Sequence, residues 1–152
     1  MANIYAEPVD NLIAGVAGPV SLVDGVFVGA RVKVLAKKVT LAAAGAFDVN
    51  NGDTIIWGEL PKGALPLFGV LVASATMGAS ATLDMGFNGA AAALRAAAVF
   101  TAADTPTFYG KASGLLVPLT AKKKLQSVIA VADLPTSGTL INMLFYSLPE
   151  GG

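Results

Sequence analysis

The side chains of this 152-residue chain that could do chemistry are few, because it contains no histidine and no cysteine. The commonest general base and the best thiol nucleophile are absent, so neither a Ser-His-Asp nor a Cys-His arrangement can be built. Disulfides and thiolate metal sites fall with them. Carboxylate chemistry remains. Leu83-Asp84-Met85-Gly86 approaches the Asp-[Ser/Thr]-Gly turn through which two aspartates of a dimer share one proton. Met85 stands where that turn needs a hydroxyl, and Asp84 falls on the polar side of an alternating segment, so an outward-facing strand aspartate accounts for it. Asp48, Asn50 and Glu59 fit the first, third and twelfth positions of a calcium loop. Asp53 occupies the sixth position, where that loop needs glycine, and Ile55-Ile56-Trp57 reads as strand, so a hairpin turn is expected instead. No glycine-rich phosphate cradle precedes a helix. The expectation is a chain with no catalytic residue, no cofactor and no metal, and hence not an enzyme.

The remaining composition points to association. Apolar residues make up 55% of the chain and charged residues 13%, with ten basic and ten acidic side chains that cancel. A mean hydropathy of +0.68 at zero net charge favours precipitation unless apolar surface is covered by further copies or by a partner. Nucleic acid is not the expected partner, because that binding rests on basic patches that displace counterions. The only basic run, Lys122-Lys123-Lys124, reads as a solvated turn between two strands. The first basic residue is Arg31, preceded by Glu7, Asp10 and Asp24, which is the wrong order for a signal peptide. The uncharged stretch from Gly63 to Leu83 is long enough to raise a membrane question, but Pro66, three glycines and four Ser/Thr residues make it strands and turns. No membrane partner is expected.

These residues must be held by mostly extended elements. Residues 1–30, with Pro8, Pro19 and four glycines, show neither a helical period nor sustained alternation, and read as an extended arm ahead of a single domain over 31–149. Its apolar residues, Ile4, Tyr5, Leu12, Ile13 and Val16 among them, call for something to cover them. Arg31 to Leu41 reads as a strand or strand pair, and Asn50-Asn51-Gly52-Asp53 as a turn leading into a strand at Thr54 to Trp57. Leu67 to Ala75 follows as the next strand. Ala81 to Phe87 alternates cleanly. Asn88 then serves as the cap of a short helix over Ala90–Ala98, where alanine has the best helix propensity. Phe100 to Tyr109 is loosely extended, and Leu115–Thr120, Leu125–Ala132 and Thr139–Leu148 read as strands. The aromatics are dispersed among the strands and suit packing. Seven or eight short strands with Gly/Pro turns predict a mainly β, antiparallel, jelly-roll-like sandwich with one short Ala-rich helix and an extended N-terminal arm.

Gly52-Asp53-Thr54-Ile55, Leu60-Pro61-Lys62-Gly63-Ala64 and the run Ser74-Ala75-Thr76-Met77-Gly78-Ala79-Ser80-Ala81-Thr82-Leu83-Asp84-Met85-Gly86-Phe87 form a distinctive succession. It resembles a family of tailed-bacteriophage virion proteins, head decoration or cement proteins, which share the order G-D-x-I, L-P-x-G-A, S-x-x-L-G-A-x-A-T-L-D-x-G. The resemblance spans roughly Val49 to Ser147, including the closing Pro135-Thr136-Ser137-Gly138-Thr139-Leu140. Met77 stands where the family more often has leucine, and the first thirty residues lie outside it. The resemblance implies a jelly-roll-like sandwich that forms a homotrimer, sits on the outer surface of the capsid at local threefold positions, and clamps adjacent major capsid proteins. It has two partners on this reading, itself and the major capsid protein. Ile4, Tyr5, Leu12 and Ile13 are then the expected capsid contacts, and Leu140, Leu144 and Tyr146 the core or the trimer interface. Two other readings stand beside it: a tail or neck subunit, which forms rings, and a lectin-like sandwich binding glycans through residues such as Trp57 or Tyr109.

Overall fold

A computed structural model describes residues 31–41 and 50–148. Among the described residues eight strands carry the fold: β1 (Arg31–Thr40), β2 (Thr54–Leu60), β3 (Leu65–Ala73), β4 (Thr82–Phe87), β5 (Ala90–Val99), β6 (Thr107–Tyr109), β7 (Lys123–Ala130) and β8 (Thr139–Leu148). Every pairing is antiparallel, and four of them are nested, β1 with β8, β2 with β7, β3 with β6 and β4 with β5. Nesting of this kind is what a single long ribbon, doubled back on itself, produces. Two further pairings, β3 with β8 and β4 with β7, roll that ribbon into two four-stranded sheets ordered β1-β8-β3-β6 and β2-β7-β4-β5. The result is a jelly-roll-like sandwich, in which the rolled ribbon buries one face of each sheet against the other.

Alternation decides what goes inside. In β7 the residues Leu125, Ser127 and Ile129 are buried between half-buried or exposed neighbours, and in β8 Leu140, Asn142 and Leu144 are buried between half-buried ones. Trp57, Leu60, Leu94, Leu125, Ile129, Leu140 and Leu144 are fully buried between the sheets, each such side chain contributing about 1.5–3 kcal/mol of burial. Two pairs of polar groups that enter this core satisfy each other, although Asn142 Nδ2 and Ser147 Oγ are buried without a partner. Trp57 Nε1 donates to Ser127 Oγ at 2.8 Å, and Tyr109 Oη donates to Asn142 Oδ1 at 2.8 Å. The Tyr109 ring lies across Gly69, where an added Cβ would come within 2.0 Å of it, so only glycine lets β6 close on β3 this way. Turn chemistry agrees with the sequence at Asn50–Asp53, where Asp53 N donates to Asn50 O at 3.1 Å and Gly52 takes φ 98°.

Two expectations are corrected. The Ala-rich stretch from Ala90 to Ala98 is not a helix but most of strand β5. Asn88-Gly89, read as a helix cap, is the two-residue loop of the β4–β5 hairpin, with Phe87 facing Ala90 across it and Gly89 at φ 84°. Asn88 is held to β7 by its own N–H to Lys124 O at 3.1 Å and by its side-chain Oδ1, which accepts from Lys124 N at 2.9 Å. Tertiary pairing thus overrides alanine's helix propensity, which amounts to only a few tenths of a kcal/mol per residue. The segment Leu115–Thr120 is a loop rather than a strand. Its backbone is fastened to the β2–β3 turn and the start of β3, with Leu119 N donating to Ala64 O and Leu116 N to Pro66 O, both at 2.9 Å, and Leu116 adopts a positive φ of 56° that breaks extension.

Candidate functional site

The candidate carboxylate sites are occupied by structural work. Asp84 does not face solvent, which corrects the expectation of an outward-facing aspartate: it is buried, and its Oδ1 accepts the N–H of Val128 at 2.6 Å. β4 and β7 pair at Thr82–Ala130 and Leu83–Ile129 and again at Gly86–Gln126, and Asp84 sits in the interval, where its carboxylate replaces a carbonyl as acceptor. Burial pushes its pKa up from the ordinary 3.8, and the hydrogen bond from Val128 partly opposes that. Glu59, the last position of the calcium-loop spacing, lies in β2 and pairs with Lys122, whose ammonium holds its pKa below the usual value. Asp48 lies outside the described residues. Among the described residues no three of His, Cys, Asp and Glu come together to hold a metal ion.

The basic run splits, with Lys122 at Glu59 and Lys123 opening β7. Trp57 and Tyr109, the residues named for glycan stacking, are both buried, so neither offers a face to a sugar. Leu140 and Leu144 sit in the core and Tyr146 is partly buried against it. Ile4, Tyr5, Leu12 and Ile13 lie outside the described residues.

What the structure brings together, and the sequence reading missed, is the opposite face of the same sheet. In β8, Leu140, Asn142 and Leu144 point inward, so Ile141, Met143 and Phe145 point out. Their partners on β1 are Lys38, Ala36 and Val34, and on β3 Val72, Val70 and Phe68. Phe108, on the three-residue edge strand β6, pairs with Val70 and continues the row. Phe108 is 70% exposed, Val32 60%, Val34 48% and Phe68 40%, while Val70, flanked by Phe108 and Met143, is buried. The rings are organised: Phe68 stacks on Phe145 with centroids 4.5 Å apart and planes 14° apart, and stands 6.3 Å from Phe108. Among the described residues, Lys38, at one corner, is the only charged side chain that the register places on this face. The signal was available. β8 is apolar at both parities, a pattern that belongs to strands covered on both sides.

No protein-family model matches the chain, and no curated protein does. Solved structures share its fold. A chain in the capsid of Ralstonia phage GP4 superposes with a TM-score of 0.61 at 22% identity, over 78% of this chain and 84% of that one. A chain in the capsid asymmetric unit of cyanophage Pam1 gives a TM-score of 0.62 at 23% identity, over 79% and 86%. A third, in the acid-stable capsid structure of the Helicobacter pylori bacteriophage KHP30, gives 0.51 at 15% identity, over 78% and 89%. At such identities the likeness is one of fold. The chain therefore shares its two-sheet architecture with chains found in three phage capsids.

Proposed function

We propose that this chain is a structural protein of a tailed-phage virion that decorates the outer surface of the capsid, binds across major capsid protein subunits as a homotrimer, and stabilises the assembled shell. The observation that carries the reading is the fold shared with chains from three phage capsids over more than three quarters of each chain. The composition supports it, since a shell component needs apolar surface for copies and lattice and needs no catalytic group. The mechanism is mass action. A protein that binds only the assembled shell shifts the balance away from disassembly, and engaging several subunits at once gives strong retention from contacts that are individually weak. Ile4, Tyr5, Leu12 and Ile13 are the capsid contacts in this reading.

Co-sedimentation with undecorated phage heads tests it. The wild-type protein pellets with the heads and raises the temperature at which they come apart, while Ile4→Asp with Tyr5→Asp abolishes retention and leaves the domain folded. A wild-type protein that stays in the supernatant, or that forms large rings on its own, moves the assignment to a tail component. Unchanged retention of the double variant removes the arm from the contact.

A further inference from the structure

We propose that the outward face of the β1-β8-β3-β6 sheet is covered by a second copy of this chain. The inference deepens the reading above, on which it rests for the trimer, by naming the surface at which copies meet.

Area is the first argument. The exposed parts of Phe108, Phe68, Val32 and Val34, joined by the half-buried Phe145 and Met143, make one contiguous apolar patch. Four large side chains between 40% and 70% exposed, side by side, make a patch on the scale of the largest that a monomer carries, which is often functional. Phe68 and Phe145 on its central strands, with Phe108 at the edge, give it the aromatic content of an interface core. Charge is the second argument. Among the described residues the register places no carboxylate on this face and a single lysine at its corner, where its ammonium can stay in water, so the face offers little to a strongly charged partner and suits an apolar one. A copy of this chain is such a partner. Its net charge is zero, so copies do not repel one another at long range. It also exposes apolar side chains elsewhere, Ile56 on β2 at 50% and Val99 on β5 at 43%, both on edge strands of the other sheet. Closure into a ring of three requires a heterologous contact, one surface of each copy against a different surface of the next. The sheet face supplies one of those two surfaces, and every contact in the ring uses it once.

The test is the mass of Phe68→Asp with Phe108→Asp, measured by sedimentation equilibrium beside the wild type. The wild type sediments as a multiple of the 15.3 kDa chain, and the double variant as the single chain with an unchanged far-ultraviolet spectrum. A second variant guards against misfolding. Phe108→Cys places the only thiol in a chain that has none, on a side chain already exposed, and its reaction with a maleimide is at least tenfold slower in the assembled protein than after dilution to single chains. A wild type that is monomeric at every concentration, a double variant that keeps the wild-type mass, or a thiol equally reactive in both states overturns the proposal. Co-sedimentation separates the other occupant. A double variant that keeps its mass but no longer pellets with heads assigns the face to the capsid lattice and overturns the copy contact. A wild type that assembles through this face yet never pellets with heads upholds the copy contact and sinks the virion reading instead.

Discussion

Asp84 occupies a gap in the β4–β7 ladder, where a carboxylate takes the place of a carbonyl as acceptor for the Val128 N–H. That role has a pH signature. The unfolded chain loses the Asp84 proton near 3.8, whereas burial makes the folded protein hold it to higher pH. Between those two values the folded state binds more protons than the unfolded one, so this residue makes stability fall as pH rises through the interval and then level off. Asp84→Asn keeps an oxygen for Val128 and removes the titration. Its urea midpoint is expected to equal or exceed that of the wild type at pH 7, with a relative gain larger at pH 7 than at pH 3.5. Asp84→Ala leaves the Val128 N–H without its acceptor and should cost about 1–3 kcal/mol. A variant series with no pH-dependent difference between wild type and Asp84→Asn removes the buried-carboxylate account. The sequence showed Asp84 correctly on a strand and incorrectly in solvent. Alternation reports which side of a strand a residue takes, and it says nothing of whether that side is closed over by a neighbouring strand.

The β4–β5 hairpin is the element on which sequence and structure part. Its two strands are unequal, six residues against ten, and the surplus is taken up in bulges: Met85 faces Arg95 while Phe87 already faces Ala90, so four residues of β5 pass the single residue Gly86. A Cβ on Gly86 would lie 2.2 Å from the Ala90 carbonyl oxygen and 2.4 Å from that of Ala91, and both are backbone atoms. The crossing requires glycine at position 86, while the β5 residues opposite it contribute only their backbone to the contact. Gly86→Ala should therefore cost about 3 kcal/mol, at the upper end of overpacking effects. Gly89→Ala, in the open hairpin loop at φ 84°, carries only the left-handed backbone penalty of about 1–2 kcal/mol. Ala96→Thr at an exposed β5 position distinguishes the two secondary structures by sign. In a strand it adds up to about 1 kcal/mol, whereas in a helix it would lose about 0.5 kcal/mol. Chemical denaturation of the three variants checks the ordering, and a destabilising Ala96→Thr contradicts strand β5. Strands with strict alternation or flanking turn residues were legible: β8 runs over Thr139–Leu148 as its sequence suggests, and β2 follows the Asn-Gly turn. The nested pairing was not, because alternation fixes which side of a strand is buried without naming its neighbour.

At the scale of the whole molecule, the composition signalled surface in need of cover, and the fold locates a large part of it on one sheet face. The inward set Leu140 and Leu144 and the outward set Ile141, Met143 and Phe145 lie on the same ten-residue strand, so a reading that treats the segment as one apolar run merges core with contact surface. Separating them makes stability depend on concentration. If three chains fold and assemble together, the assembled state gains two thirds of RT ln 100 per chain when protein concentration rises a hundredfold, about 1.8 kcal/mol with RT near 0.59 kcal/mol. For a domain of this size each kcal/mol moves the melting midpoint by about 2–4 °C, so the wild type is expected to melt about 4–7 °C higher at the upper concentration. Phe68→Asp with Phe108→Asp removes the linkage between unfolding and association, and its midpoint should not move. Scanning calorimetry at the two concentrations provides the check. A wild-type midpoint independent of concentration means that unfolding and association are uncoupled, and assembly through the outward face of the β1-β8-β3-β6 sheet then adds nothing to the folding stability of the chain.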